Sequence, residues 1–319
     1  MEPHSFVKLV NVLPQLTTQQ MAQVEIRLRA IWGLTQVSQH LEQSVRCCPH
    51  CGSQEFIHWG RSHGQSRFRC NACYRTFNPL TGTPLVGLRH RERWLTYVRS
   101  LFSGQSVRKS ARRCGIHPNT AFRWRHRFLK GPAILKAHHL TGIAEVDETF
   151  FLRSDKGSRH LTRPPRKRGG HATQRGRSKE HVFVLVARDR SGATMDAVMA
   201  ELDAEAVTKT LGPLLPEDAV LCSDGLSAYA SFCRKRHVVH QVVQNKPGQR
   251  VHQGVFHIQN VNAYHSRLKN WMLRFHGVTT HYLENYLGWF RWLDQHGPSP
   301  NAPVFLLNAE GRDQQVTVT

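Results

Sequence analysis

The chain has 319 residues, of which 39% are hydrophobic and seven are Trp, enough for one sizeable core with smaller modules beside it. Its formal charge of +22 is extreme for a metabolic enzyme and ordinary for a protein that meets nucleic acid. No apolar run nears the roughly 18 residues of a membrane helix, and Met1-Glu2-Pro3-His4 lacks the opening of a signal peptide, so a soluble cytoplasmic protein is expected.

In chain order, residues 1–45 read as helical, with Met21, Val24, Ile26/Leu28 and Ile31/Trp32 near helical spacing and Pro14 and Thr17-Thr18 as start signals. The segment carries no chemistry of its own. Residues 46–80 hold Cys48-Pro49-His50-Cys51 and, eighteen residues on, Cys70-Asn71-Ala72-Cys73. Two such knuckles supply the four thiolates of a closed, structural zinc site, whereas a redox dithiol comes singly. Cys47 abuts Cys48 but does not give the spacing. Between the knuckles, Phe56–Arg61 and Ser66–Arg69 flank Ser62-His63-Gly64-Gln65, a hairpin pattern, so a zinc ribbon is expected. Arg61, Arg67, Arg69 and Arg75 suit it to DNA docking, or else make a solvated basic face.

Residues 88–135 are helical and strongly basic. Ala111, Gly115, Ile116, Ala121 and Trp124 fall in the order of a helix-turn-helix: a small residue for close approach, a glycine turn, then apolar seats for the second helix. Asn119 or Thr120 is the expected cap. Arg123, Arg125, His126 and Arg127 are expected to face DNA. A purely structural helix pair is the alternative.

From Gly142 the texture becomes α/β, and a separate α/β domain is expected over 141–297. Ile143–Phe151 is a strand with Asp147 and Glu148 near its centre; successive residues face opposite ways, and Asp147 is the preferred acid. A basic insertion, 153–179, contains Arg166, Lys167 and Arg168 and reads as a mobile arm for DNA backbone or a solvated loop. His181–Arg188 and Ala193–Met199 are strands, Ala204–Leu211 a helix, and Ala219–Gly225 a buried-type strand ending in Asp224. A helix (Ser227–Arg234), a strand (His237–Val243) and two helices follow. Residues 298–319 read as a tail.

The first of those last two helices spans His257–Met272. Val261, Tyr264, Leu268 and Trp271/Met272 form an apolar stripe; Asn262, His265/Ser266 and Lys269 form a polar one. No Asp or Glu occurs from Gly225 to Leu283, so this polar stripe suits an anion. Taken singly, Asp224 reads as a turn residue and Asn262 as a surface asparagine. An Asp inside a strand such as Asp147 is harder to explain, since burying it unpaired is costly.

The cysteine ribbon, Val146-Asp147-Glu148-Thr149-Phe150-Phe151, Ser223-Asp224-Gly225-Leu226-Ser227-Ala228-Tyr229 and His257–Lys269 together resemble a family of bacterial insertion-sequence transposases of the DDE type. In that family a zinc ribbon precedes the core and the third catalytic position is Glu or Asn. The resemblance runs from about Cys48 to Asp294. It implies a ribonuclease-H-like catalytic core, a mixed five-stranded sheet with flanking helices, preceded by the zinc ribbon and helix-turn-helix. It implies double-stranded DNA, element ends and target, as the substrate, a homo-oligomer on that DNA, and strand cleavage and transfer in the bacterial nucleoid. Carried over by position, Asp147, Asp224 and Asn262 would hold two Mg²⁺ or Mn²⁺ ions and Lys269 would face phosphate. Asn262 offers only a neutral carbonyl oxygen, so the second ion is expected to be held more weakly. The rival is a decayed DNA-binding protein that works through the ribbon and helix-turn-helix alone; an RNA-hybrid nuclease on the same fold fits the two DNA-binding modules less well.

Overall fold

The computed structural model describes residues 2–165, 170–173, 178–243 and 250–311. It divides into two units, one formed by residues up to Phe128 together with those from Pro300 on, the other by Leu129–Ser299.

The first unit opens with helices α1 (Pro3–Val12) and α2 (Thr18–Gln43). Thr17 caps α2 in a reciprocal capping box with Gln20. The apolar residues that announced this helix are not its buried face: Met21, Ile26, Leu28, Ile31 and Trp32 are exposed, and burial falls instead on Gly33, Val37 and Leu41. Gly33 lies where any Cβ would press on Leu95 and Pro303 at about 3 Å, so the end of α2 packs through a missing side chain. Pro303 belongs to a helix, Ala302–Asn308, within the stretch read as a tail; it is capped by Asn301 and buries Phe305, Leu306 and Leu307.

Strands β1 (Phe56–Ser62), β2 (Gln65–Cys70) and β3 (Thr76–Phe77) form an antiparallel sheet in that order. His63 and Gly64, both at positive φ, make the two-residue hairpin turn whose twist suits paired strands. Beneath the knuckles Phe56 meets Phe68 and Phe77 edge to face, and Phe68 and Phe77 lie tilted at 31° to each other. Helices α3 (Trp94–Phe102), α4 (Val107–Cys114) and α5 (Pro118–Ile134) follow. Ser106 caps α4, and Gly115, at φ +59°, ends it in the left-handed conformation that a tight helix-to-helix turn requires. The cap of α5 is neither Asn119 nor Thr120 but His117, whose Nδ1 accepts from the Asn119 N–H at 3.2 Å, with Pro118 in the first helical position. Tyr97 of α3 packs against Trp124 and Phe128 of α5.

The second unit is a five-stranded mixed sheet: β4 (Ile143–Leu152), β5 (His181–Asp189), β6 (Thr194–Met199), β7 (Val220–Ser223) and β8 (Val239–Val242), in spatial order β6-β5-β4-β7-β8. The first three are antiparallel; β7 and β8 run parallel to β4. This is the ribonuclease-H-like topology. Ala144 and Val146 on one face of β4 join a core with α6 (Ala204–Leu211) and α7 (Ser227–Arg236). Glu145 and Asp147 therefore face the other way, toward α8 (Gln259–Leu273), which packs on β4 and β5 with α9 (Leu283–His296) beside it on β6. On the same face Asp196 and Arg291, both about 99% buried, form an ion pair, and Tyr264 lies beside them. Burial and the Asp196 charge raise the Tyr264 phenol, which stays protonated.

Part of the basic insertion is tethered. Ser154 exchanges hydrogen bonds with Thr280, and Lys156 Nζ donates to the carbonyls of Phe275, His276 and Gly277 beyond the end of α8. Arg166, Lys167 and Arg168 lie outside the described residues. Among the described residues, no helix is long and apolar enough to cross a membrane.

Candidate active site

Two clusters of ligating side chains occur among the described residues. In the first, the Sγ atoms of Cys48, Cys51, Cys70 and Cys73 lie within 4.8 Å of one another, with Cys48–Cys73 at 3.7 Å and Cys51–Cys70 at 3.6 Å. Sulfurs at the corners of a tetrahedron about 2.3 Å from zinc are about 3.8 Å apart, so the four thiols fit that ion. Backbone N–H groups of His50 and Cys73 donate to Cys48 and Cys70 at 3.5 Å, the knuckle bonds that stabilise thiolates. The Cys73 amide is the largest influence holding Cys70 down to about 6. Cys47 is exposed and stands outside the cluster.

The second cluster is Asp147, Glu148 and Asp224, whose carboxylate oxygens lie within 4.8 Å of one another. Alternation does send Asp147 and Glu148 to opposite faces: Asp147 Oδ2 is 3.5 Å from His265 Nδ1 on α8, and Glu148 Oε2 accepts from the Tyr229 hydroxyl of α7 at 3.1 Å. The two still converge because β7 pairs with β4 only as far as Cys222 opposite Glu145. Beyond that point the edge of β4 is open, and Asp224, just past the end of β7, meets side chains from both faces. Glu148 is thus a candidate ligand that strand alternation argued against; the adjacent acid was the signal, and the length of its side chain supplies the reach. Burial chiefly, and the nearby Glu148 charge next, push the Tyr229 phenol far up, so it stays a hydrogen-bond donor.

Asp224 sits in a constrained turn. Its Oδ1 accepts from the Leu226 N–H at 3.2 Å, and Gly225 holds φ +92° with its Cα facing Val242, where a Cβ would come within 2.8 Å. The preceding Ser223 Oγ bonds His240 Nε2 at 2.8 Å, and burial lowers the His240 pKa, favouring the neutral ring.

Asn262 is half-buried on α8, one residue after Val261 and three before His265, both of which are tied to β4. Glu145 makes the first tie: its Oε2 accepts from the Val261 N–H at 3.0 Å and its Oε1 from Asn260 Nδ2 at 2.9 Å. Arg190 closes the group, 2.5 Å from Glu145 Oε1. Lys269 is exposed, its Nζ 5.9 Å from the Phe150 ring further along β4.

The recognition residues of the helix-turn-helix sort differently from the sequence reading. Arg123 is exposed on α5. Arg125 is not: it is 2% exposed, and its guanidinium donates to the Gln105 carbonyl at 2.5 Å, so it holds the loop before α4 and does not face DNA. Arg127 is half-buried and donates to the carbonyls of Pro84 and Val86. The exposed cations of this region are instead Arg108, Lys109, Arg112 and Arg113 on α4, with Arg123 and Lys130 on α5.

Residues 139–293 match the ISXO2-like transposase domain, and residues 88–136 match a homeodomain-like domain. A relative described as an uncharacterized protein in transposable element ISH50 of Halobacterium salinarum is 27% identical over 254 residues, 76% of this chain and 83% of the relative. Solved structures with similarity include a simian T-cell lymphotropic virus intasome in complex with PP2A regulatory subunit B56 gamma, at 12% identity and TM-score 0.30, and a pre-cleavage Mos1 transpososome, at 11% identity and TM-score 0.20. Each covers 70% of this chain and 80% of the other.

Proposed function

We propose that this chain is an insertion-sequence transposase of the DDE type, which binds the ends of its element and catalyses metal-dependent DNA strand cleavage and strand transfer. The observation that carries the reading is the convergence of Asp147, Glu148 and Asp224 at the open edge of β4. Oxygen donors on one Mg²⁺ are at most about 4.2 Å apart, close to the span of this cluster, and three gathered carboxylates repel one another unless a cation joins them. When bound, Mg²⁺ or Mn²⁺ supplies activation of a water or 3′-hydroxyl and stabilisation of the leaving oxygen in an in-line displacement.

Asp147 and Asp224 hold the metal, with Asn262 and Glu148 as the two candidates for a third ligand. Asn262 adds an oxygen without adding charge, which suits a site that must admit phosphate. Tyr229 donates to Glu148 and fixes its carboxylate; His265 flanks Asp147 from α8. Lys269 extends the cationic face of α8 toward the DNA backbone. Cys48, Cys51, Cys70 and Cys73 hold a structural zinc that leaves no open coordination position. Arg123 and the α4 cations engage duplex DNA, and synapsis of two ends calls for a homo-oligomer on the DNA.

The test is incubation of the full chain with Mg²⁺ or Mn²⁺ and DNA carrying the inverted repeats of its element, wild type beside Asp147→Ala. Wild type nicks and joins DNA while the variant binds without cutting. Binding with no cleavage by the wild type would leave only a DNA-binding protein.

A further inference from the structure

The ribbon sheet has two unlike faces. Phe56, Phe68 and Phe77 turn inward beneath the cysteines. The alternate positions, Ile57 and Trp59 on β1 and Arg67 and Arg69 on β2, form the outer face. Ile57 and Trp59 are each 45% exposed, and Tyr74, in the second knuckle, is 70% exposed. The Arg69 guanidinium stands 4.8 Å from the Trp59 ring centroid and 5.8 Å from that of Tyr74, linking the two aromatics into one planar-group row. Trp59 lies where the β1–β2 register shifts between His58 and Arg61, beside Gly60 at φ +77°, and a break of this kind re-aims a side chain.

We propose that this face is a stacking platform for unpaired DNA, distinct from the duplex-binding helices and independent of the metal-site reading above. Exposed aromatics accept bases only when those bases are unstacked from a duplex, and every base has a face to offer. The charge is complementary to a nucleic-acid strand: between Cys48 and Asn78 there are four arginines, Arg61, Arg67, Arg69 and Arg75, against the single acid Glu55. Arg67 and Arg69 repeat along β2 about 6.8 Å apart, in line with the platform. Next to Arg67 opens a polar cavity of about 150 Å³, lined also by Ser62, Gln65, Ser66, Thr76 and Asn78. Gln65 is 94% buried, yet its Oε1 has no hydrogen-bond partner. A buried acceptor left unpaired is costly, so a turn of the Gln65 side chain into this cavity to meet a donor, such as the exocyclic amino group of a base, would be favoured.

The test uses the full chain and a fluorescein-labelled mixed-sequence single strand of roughly 12 nucleotides, with the same sequence as a duplex. Anisotropy titrations compare wild type, Trp59→Ala/Tyr74→Ala and Trp59→Phe, with zinc content measured on each. Loss of stacking on a base weakens affinity by about 5- to 150-fold. The double alanine variant is therefore expected to lose about tenfold or more on the single strand and less than about twofold on the duplex, while Trp59→Phe stays near wild type. A zinc-loaded double variant with unchanged single-strand affinity overturns the proposal. So does an equal fall on both DNAs, which would make the face an electrostatic contact only. If the double variant loses zinc, Tyr74→Ala alone carries the comparison with the same expected ordering.

Discussion

Glu145 Oε2 accepts the backbone N–H of Val261 at 3.0 Å, which joins the central strand to the first turn of the helix that carries Asn262 and Lys269. The cap residue of α8, Ile258, has no side chain that can accept; His257 Nδ1 takes the Gln259 N–H at 3.3 Å, and Glu145, two residues before Asp147, takes the Val261 N–H from across the sheet. Val261 lies opposite Glu145 and His265 opposite Asp147, so one turn of helix advances in step with two residues of strand. The register between the acid of β4 and the polar stripe of α8 is set by a residue that touches neither metal nor DNA in the proposed mechanism.

Glu145→Ala is expected to leave the Asn260 amide and the Val261 N–H without their acceptor and the partly exposed Arg190 without its carboxylate, though still bonded to the Val255 carbonyl. Removing one partner of a buried pair costs about 3–5 kcal/mol, less here because Arg190 reaches solvent, so about 2–4 kcal/mol is expected. Thermal melts should show a midpoint lower by roughly 5–15 °C, and Glu145→Gln, which keeps an acceptor for Val261, should fall between. Equal melting of wild type and the alanine variant would mean the helix is held by its apolar face alone.

The third ligand can be decided between Asn262 and Glu148. Asn262→Ala is expected to abolish strand transfer while Asn262→Asp and Asn262→Glu keep some, since each restores an oxygen donor. Glu148→Gln keeps the shape and the hydrogen bond from Tyr229 but removes a charge. If Glu148 ligates directly, Mn²⁺ affinity read by electron paramagnetic resonance on the zinc-loaded chain should fall by more than the roughly 100-fold that loss of an outer-sphere partner costs at most. If only Asn262 completes the set, Glu148 acts from outside the ligand shell, and Glu148→Gln costs no more than about 10- to 100-fold in Mn²⁺ affinity while strand transfer persists at saturating metal.

Zinc removal should unfold the ribbon while the sheet of the second unit persists. The ribbon's apolar core is little more than Phe56, Phe68 and Phe77 with the cysteines, too small to stand without the ion. Cys51 is pulled down by a hydrogen bond from the Ser53 backbone, but burial and the neighbouring sulfurs outweigh it and hold the thiol up to about 12. Cys70, at about 6, is already a thiolate near neutral pH. Zinc uptake at neutral pH must therefore displace the Cys51 proton, and affinity should rise with pH through the neutral range. A chelator titration at pH 6 and pH 8 reads this directly: easier stripping at pH 8 would contradict it.

The parts of this protein legible in the sequence are those written in local spacing. Two knuckles close the thiol cluster, alternation marks the strands, and the apolar stripe of α8 appears as Val261, Tyr264, Leu268 and Trp271 in the buried set. What was not legible depends on tertiary context. Arg125 and Arg123 are two positions apart in one basic helix, and only the approach of the Gln105 loop separates a buried arginine from an exposed one. Glu148 joins Asp147 because β7 stops short, which no property of β4 encodes. The helix Ala302–Asn308 did carry a signal, an Asn cap with Pro in the first turn before Val-Phe-Leu-Leu, but at seven residues it is shorter than periodicity can resolve.

That separation of Arg123 from Arg125 makes the last prediction a paired one. Arg123→Ala is expected to weaken duplex binding about equally across sequences, or at one base if the side chain reads guanine, and to lower the salt slope by about one. Its melting temperature should stay near wild type, because an exposed arginine on a helix contributes little to stability. Arg125→Ala should do the reverse. It removes the donor that holds the Gln105 carbonyl and empties a buried site, so the melt falls while the salt slope of the remaining folded protein is unchanged. Measuring both variants for salt dependence and for melting separates the roles. A reduced salt slope in Arg125→Ala at full stability would put that guanidinium on DNA and require the α3–α4 loop that carries Gln105 to rearrange on binding.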